Sequence, residues 1–332
     1  MKSLIQKLTE TFAPSGYEAA IRDVIRAEVT SLADEIKVDA LGNLWAIKHA
    51  SAPGGKKIML SAHMDEIGLI ATHVDKQGFV RFTTIGGVRP HTLYGGRVRF
   101  VNGSPGVIGG ESLSSPHELH SFDKLFIDVG ATSDKDCPVK VGDVAAFERP
   151  FVDLRQRLTA KSMDDRIGVA VLIETLRALV TTPHEVYFIF SVQEEVGLRG
   201  ATTAAFGVDP DIGIAVDVTG SGDTPKGMKM AVALGDGPAI KIKDGGMLAD
   251  ARVVAWMIAT AKKHNLPYQR EVLLGGTTDA KTIQTARSGV PAGCVSIPCR
   301  YVHSPSEMVD YADVQNAVRL LTAMLSAPVD LG

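Results

Sequence analysis

The chain has 332 residues, of which 45% are hydrophobic and 22% are charged, and its formal net charge is -3. This length suggests two domains or one large domain with a full hydrophobic core. The charge gives no reason to expect a nucleic-acid partner, and the apolar stretches are too short to span a membrane.

The first residues predict two amphipathic helices and then short strands. Apolar residues recur at helical spacing over residues 4–12 and 18–29, with a turn around Pro14 between the two runs. Strand-like apolar runs follow at residues 36–38, 44–47 and 58–60.

From about residue 68 to 157 the pattern changes to short β-strands. Paired glycines separate the runs, as at Gly86-Gly87 and Gly95-Gly96. Short strands at regular intervals, with turn residues between them, are typical of a small β-barrel or sandwich. The strand-like runs lie at residues 69–74, 79–84, 97–101, 125–129 and 144–147.

After Met163 the alternation of helices and strands returns. Residues 186–190 form a continuous apolar run, as expected for a central buried strand. The other predicted elements are a helix at 167–179, a strand at 212–216, a helix at 248–263, a strand at 290–297 and a closing helix at 309–325. The simplest organisation is an α/β domain in two segments, 1–67 and 158–332, with a β domain of residues 68–157 inserted between them.

Ionisable residues stand where the predicted strands end and where one helix begins, which is the rim of an α/β sheet. They are His63, Asp65, Asp164, Glu194, Glu195, Asp217 and His303. Taken alone, each has an ordinary structural explanation. Asp164 suits a helix cap, Asp217 suits a turn, and either histidine can be a hydrogen-bonded loop residue.

The adjacent pair Glu194-Glu195 is harder to explain, because neighbouring like charges cost energy unless a cation or a shared proton compensates. A solvated loop is the alternative. Taken jointly, nitrogen and oxygen ligands without sulfur suit Zn²⁺, and also Co²⁺ or Mn²⁺. The set therefore predicts two divalent ions about 3.5–4 Å apart that activate a water molecule.

The cysteines, Cys137, Cys294 and Cys299, form no CxxC pair and predict a cytoplasmic protein.

Six short motifs, spread over most of the chain, carry a family resemblance. They are residues 61–68 (SAHMDEIG), 161–166 (KSMDDR), 193–201 (QEEVGLRGA), 215–219 (AVDVT), 275–280 (GGTTDA) and 300–304 (RYVHS). Together they resemble the TET or glutamyl-aminopeptidase family of dinuclear metallopeptidases. The resemblance implies a mixed-sheet α/β/α aminopeptidase catalytic domain with an inserted PDZ-like β-barrel domain, residues 68–157, that serves for dimerisation. It also implies a homo-oligomer, either a dimer or a tetrahedral dodecamer.

The resemblance further implies a role for each ionisable residue. Asp164 would bridge the two ions. The first ion would be completed by His63 and Asp217, and the second by Glu195 and His303. Glu194 would be the general base and Asp65 would orient His63. The Asp164–Asp165 peptide bond would be cis. Ser162-Met163 differs mildly from the Ala-Leu or Ala-Phe that the family commonly has before the bridging Asp.

The predicted function is metal-dependent hydrolysis of the N-terminal peptide bond of short peptides. Thr277, Thr278 and Asp279 are predicted substrate contacts, although their glycine-rich loop could be a plain turn. An endoglucanase-type glycoside hydrolase is one alternative, but it needs two carboxylates about 5–9.5 Å apart across a sugar ring. Adjacent glutamates and only 2 Trp suit that chemistry poorly. A catalytically silent metal-binding scaffold is the other alternative, and the complete set of residues argues against it.

Overall fold

The structure is a computed structural model that describes residues 1–115, 118–329 and 331. Its α-helices are α1 (Lys2–Glu10), α2 (Ala19–Val29), α3 (Met163–Ala178), α4 (Arg199–Val208), α5 (Ala251–Lys263), α6 (Asp279–Gln284) and α7 (Tyr311–Leu325). Its first strands are β1 (Glu35–Val38), β2 (Leu44–Lys48), β3 (Lys57–His63), β4 (Gly68–Val74), β5 (Val80–Ile85), β6 (Arg97–Phe100), β7 (Pro105–Gly110), β8 (Leu125–Asp128) and β9 (Val144–Phe147). The later strands are β10 (Val152–Leu154), β11 (Arg157–Ala160), β12 (Glu185–Ser191), β13 (Ile212–Thr219), β14 (Ala239–Lys243), β15 (Gln269–Val272), β16 (Ala292–Arg300) and β17 (Glu307–Asp310).

A mixed sheet of 11 strands forms the larger part of the molecule. Its main path runs β1-β2-β12-β3-β13-β16-β17-β11-β10, and β14 joins the sheet at β16 and carries β15. The four central strands β12, β3, β13 and β16 are parallel neighbours. Strand β13 is buried along its whole length, which is why its sequence is apolar without alternation.

Helices cover both faces of this sheet. In β3, Leu60 packs into the core cluster that includes Ile167 of α3, whereas Met59 packs on the other face with Ala204 of α4 and Ile283 of α6. Successive residues of a strand point to opposite faces, so one apolar strand supplies both cores. The predicted α/β/α layering is confirmed.

The inserted segment forms a closed barrel of six antiparallel strands in the order β4-β5-β8-β7-β6-β9. Alternate residues of its short strands, such as Phe82, Phe100 and Ile127, fill a separate hydrophobic core. The predicted β-barrel is therefore confirmed. Strands β10 and β11 pair with β17 in the large sheet, so the chain has re-entered that sheet by Val152. The exact domain boundaries, 68 and 157, stay a prediction.

Two predicted helices begin later than expected because a carboxylate caps each of them. Helix α5 begins at Ala251, where Asp250 accepts a hydrogen bond from the backbone of Arg252 at 2.9 Å. Helix α7 begins at Tyr311, since residues 307–310 form β17 and Asp310 accepts from the backbone of Ala312 at 2.7 Å. Helices α4 and α6 were not predicted, because their apolar patterns are short. Among the described helices, none has the length and apolar character needed to cross a bilayer.

A buried ion pair joins the loop after β3 to the segment before α3. Glu66 Oε2 lies 2.6 Å from Lys161 Nζ, and Glu66 Oε1 lies 3.6 Å from Arg166 Nη2. All three side chains are almost fully buried. Glu66 also accepts a hydrogen bond from the backbone of Ala13 at 2.9 Å. One carboxylate thus compensates two buried cations and ties the N-terminal segment to the residues that precede the site.

We expect Glu66→Gln to lower the free energy of unfolding by about 3–5 kcal/mol, the usual cost of leaving a buried charge without its partner. Glutamine keeps the shape of the side chain but leaves Lys161 and Arg166 uncompensated. Chemical denaturation followed by circular dichroism measures the change. Glu28→Gln is the matched control, because Glu28 pairs with Lys7 and Arg177 on the surface and should contribute less than about 1 kcal/mol. Equal effects for the two variants would contradict this account of the buried pair.

Candidate metal centre

The predicted site residues meet at the carboxyl-terminal edge of the four central parallel strands. His63 is the last residue of β3 and Asp217 lies near the end of β13. Glu194 and Glu195 follow β12 closely, and His303 follows β16. Parallel neighbours end at the same edge of a sheet, so residues 240 positions apart in sequence become neighbours in space.

Asp164 occupies the middle of the site. Its Oδ1 lies 3.0 Å from His63 Nε2, and its Oδ2 lies 3.3 Å from His303 Nε2. The backbone of Asp164 and Asp165 is not helical although α3 begins at Met163, and the peptide bond between them is cis, as predicted. The carboxylate faces both histidines at once, one with each oxygen.

Two groups of side chains around Asp164 could each hold a cation. One consists of His63, Asp164 and Asp217, and the other of Asp164, Glu195 and His303, with the ligand atoms of each group within 4.8 Å of one another. Glu195 Oε2 lies 3.4 Å from His303 Nε2. The partition matches the two ligand sets that the family resemblance implies, with Asp164 shared.

The surrounding protein disfavours the charged form of two carboxylates in this cluster, Asp217 and Glu195. Burial, together with repulsion from Asp164 and Asp279, raises the pKa of Asp217 well above its ordinary value. Burial also raises the pKa of Glu195, and Asp164 adds to the effect. Glu195 Oε1 is buried and makes no hydrogen bond. Buried carboxylates of this kind are stabilised by a bound divalent cation, so the residues fit one.

Asp65 holds both His63 and the glutamate pair in place. Its Oδ1 lies 3.4 Å from His63 Nδ1 and accepts a hydrogen bond from the backbone of Glu194 at 3.0 Å. Its Oδ2 accepts from the backbone of Glu195 at 3.2 Å and from Ser15 Oγ at 2.6 Å. Burial opposes ionisation of Asp65, but the hydrogen bonds from His63 and Ser15 hold its pKa below the ordinary value. One carboxylate therefore contacts both His63 and the loop that carries Glu194.

Glu307 is a residue of the site that the sequence did not suggest. Its Oε2 accepts a hydrogen bond from the backbone of Asp164 at 2.8 Å, and its Oε1 accepts from the backbone of His303 at 2.8 Å. Burial raises its pKa well above the ordinary value. The sequence around it, Glu307-Met308-Val309-Asp310, gives no local signal for this role. Glu307 thus links the backbones of Asp164 and His303, and it does not line the cavity described below.

Three residues that carry or precede the predicted ligands have left-handed backbones. They are Ser162 with φ 51°, Gln193 with φ 55° and His303 with φ 61°. Non-glycine residues rarely adopt this conformation and pay for it in stability, and such residues cluster at functional sites. Local tertiary contacts compensate: Glu18 Oε1, for example, accepts a hydrogen bond from the backbone of Gln193 at 3.1 Å.

A cavity of about 440 Å³ opens in front of the two groups. Thr277 and Thr278 line it, beside Thr219 and Lys241. Asp279 does not: it is buried below, where its Oδ2 accepts hydrogen bonds from Ser61 Oγ at 2.7 Å and from Ser191 Oγ at 2.6 Å. We therefore retain Thr277 and Thr278, but not Asp279, as candidate substrate contacts.

Comparison with known proteins gives a family match over most of the chain. The family model described as M42 glutamyl aminopeptidase matches residues 42–320. A putative aminopeptidase of Acetivibrio thermocellus is 45% identical over 97% of this chain and 97% of its own. Lysyl aminopeptidase of Pyrococcus furiosus is 37% identical over 97% of this chain and 96% of its own.

Solved structures share the fold over nearly the whole length. Aminopeptidase APDkam598 from the archaeon Desulfurococcus kamchatkensis has a TM-score of 0.95 at 42% identity, covering 98% of this chain and 94% of its own. The TET1 peptidase of Pyrococcus horikoshii has a TM-score of 0.87 at 33% identity, covering 97% and 98%. That peptidase can assemble into a tetrahedron or a large octahedral shell. The likeness therefore includes the inserted barrel as well as the large sheet.

Proposed function

The chain belongs to the M42 glutamyl aminopeptidase family, and from this premise we propose a metal-dependent aminopeptidase that hydrolyses the N-terminal peptide bond of short peptides at a two-metal centre. The observation that carries the proposal is the position of Asp164, whose two oxygens face His63 and His303 on opposite sides. A single carboxylate shared by two ligand groups could bind one ion with each oxygen and so hold two ions close together.

His63, Asp164 and Asp217 would hold one ion, and Asp164, Glu195 and His303 the other. Nitrogen and oxygen donors without sulfur favour Zn²⁺, with Co²⁺ and Mn²⁺ as alternatives. When bound, two such ions supply an acidified water and polarise the carbonyl that it attacks.

Glu194 is our candidate for the general base. Its side chain lines the cavity, and its Oε2 lies 3.9 Å from His63 Nε2. It is a member of neither ligand group, so its carboxylate is free to exchange a proton. Burial, and then repulsion from Asp217 and Glu195, raises its pKa well above the ordinary value, in the direction that favours proton transfer near neutral pH. Glu194 would take a proton from the attacking water and pass it to the departing amine.

The residues that line the cavity favour a peptide over a sugar as substrate. Within the described part of the chain, no Phe, Tyr or Trp lines the cavity, although stacking on aromatic rings is a common way to bind sugar faces. A glycosidase would also leave His63 and His303 without a function. The hydroxyl group of Thr277, which lines the cavity and is only part-buried, can instead accept a hydrogen bond from a peptide.

We further propose that the chain forms a homo-oligomer, a dimer or a dodecamer, by analogy with the assembling TET1 peptidase. Light scattering coupled to size exclusion measures the mass directly and separates these two states from a monomer. The cytoplasmic location stays a prediction from the cysteine content.

Metal removal tests the proposed function. Chelation of the purified protein should abolish release of chromogenic groups from a panel of aminoacyl substrates, and adding back Zn²⁺, Co²⁺ or Mn²⁺ should restore it, because the ions supply the activated water. N-acetylated substrates are the matched control and should not be cleaved by either form. Full activity after complete chelation, or tight binding of metal with no turnover of any aminoacyl substrate, would refute the proposal.

A further inference from the structure

A glycine turn of the barrel reaches the candidate metal centre. Gly86 and Gly87 directly follow β5, and Gly87 lines the cavity beside His303 and Glu195. Among the described residues of the barrel segment 68–147, Gly87 alone lines the cavity. The barrel thus touches the centre through a bare backbone, not through a functional side chain.

Gly87 packs directly against the ring of His303. A methyl group added at Gly87 would lie 2.5 Å from His303 Nδ1 and 2.8 Å from Cε1. Both distances are far below a normal van der Waals contact, so any side chain here would displace the ring. The backbone of Gly87 does not lie in the left-handed region, which means that space and not backbone conformation demands glycine at this position.

Gly86 packs in the same way against Glu195. A methyl group there would lie 2.9 Å from Glu195 Oε2 and 2.8 Å from Ile67 Cγ2. Gly86 also has a φ of 78°, which glycine adopts readily. The two adjacent glycines therefore contact the two residues that belong to the second ligand group alone, while Asp164 is shared with the first.

The rings of the two histidines are held in place by different contacts. The ring of His63 is buried and its Nδ1 faces Asp65 at 3.4 Å. The side chain of His303 is 33% exposed, and in the described part of the chain no side chain is hydrogen-bonded to its Nδ1. Metal-binding histidines are ordinarily oriented through their second nitrogen. For His303, packing of the ring against Gly87 replaces the hydrogen bond to the second nitrogen.

We infer that the Gly86-Gly87 turn of the inserted barrel is a positioning element of the second ion site. It sets the ring orientation of His303 and limits the movement of Glu195, so that occupancy of this site depends on how the barrel sits against the sheet. The inference rests on the proposed two-metal centre.

The test is the metal content and affinity of a Gly87→Ala variant, followed by Co²⁺ titration with visible absorbance and by elemental analysis. Wild-type protein should bind two ions. Gly87→Ala should retain the first and bind the second about 10- to 100-fold more weakly, the usual loss when the support of a ligand is removed. Gly103→Ala is the control: Gly103 lies in another barrel turn with nothing near its missing side chain and φ 89°, so it perturbs the barrel without reaching His303, and both ions should stay.

A double-variant cycle keeps the test independent of metal binding. In the metal-free protein, Gly87→Ala should lower the unfolding temperature in the wild-type background but not in a His303→Ala background, because the shortened side chain removes the clash. Wild-type protein that binds fewer than two ions would count against the proposed function. Wild-type protein with two ions and a Gly87→Ala variant that binds both equally well would overturn only this inference.

Discussion

Replacement of Glu194 by glutamine is expected to lower kcat by about 10²- to 10⁴-fold, the range lost when a general base is removed. Glutamine preserves the shape of the side chain and can still donate and accept hydrogen bonds, but it cannot take a proton from water. Both ligand groups stay complete, since Glu194 belongs to neither. The variant should therefore bind two ions with wild-type affinity while turnover is lost. Steady-state kinetics and metal analysis on the same preparation measure both quantities.

The neighbouring glutamate provides the matched control. Glu195→Gln changes the same chemical group one residue away, but Glu195 belongs to the second ligand group. This variant should lose affinity for one ion, and its activity should recover partly at high metal concentration. Glu194→Gln should show no such recovery. Full activity of Glu194→Gln with both ions bound would refute the assignment of the base.

The second large effect is expected for Asp164→Asn, which should weaken the binding of both ions together. Each oxygen of this carboxylate faces a different histidine, at 3.0 Å and 3.3 Å. An amide is uncharged and presents an acceptor on one side only, so it cannot serve two cations. We expect kcat/KM to fall by at least about 10²- to 10³-fold, as for loss of one electrostatic stabiliser of a transition state. Elemental analysis after dialysis, with kinetics at several metal concentrations, measures the effect.

The Asp217→Asn variant is the control, because it tests a residue proposed to bind one ion against Asp164, which is proposed to bind both. Asp217 belongs to the first group alone, so this variant should weaken one ion and leave the other bound. If Asp164→Asn lost only one ion, or Asp217→Asn lost both, the proposed partition of ligands would be wrong. Circular dichroism spectra of both variants establish that the fold is intact.

The helices and strands could be predicted in part because their signals are local. The continuous apolar run of β12 and the helical spacing in α7 are visible in a short window of sequence. Strands β14 and β15 were missed, since each is short and contains charged residues such as Lys241 and Glu271. These two side chains are buried as an ion pair at 2.8 Å, and burial of that kind is decided by the partner and not by the strand itself.

The site residues also divide into those that the sequence predicts and those that only tertiary contacts reveal. His63, Asp164 and His303 could be proposed as ligands because they lie in motifs that a known family shares. Glu307 could not, because its importance comes from two backbone hydrogen bonds that exist only after β17 lies beside β16. Gly87 could not either, because the demand for glycine there comes from the ring of a residue 216 positions later in the chain.

The sequence by itself therefore determined the family motifs and most of the alternation of helices and strands, since residue type and short-range spacing carry that information, and through those motifs it predicted the ligating side chains. Only the tertiary structure decided that Asp164 stands between two histidines and that a glycine turn of the barrel closes one side of the centre. The reason is that these distances depend on the order in which β12, β3, β13 and β16 pair. Long-range packing selects that order, and no window of sequence contains it.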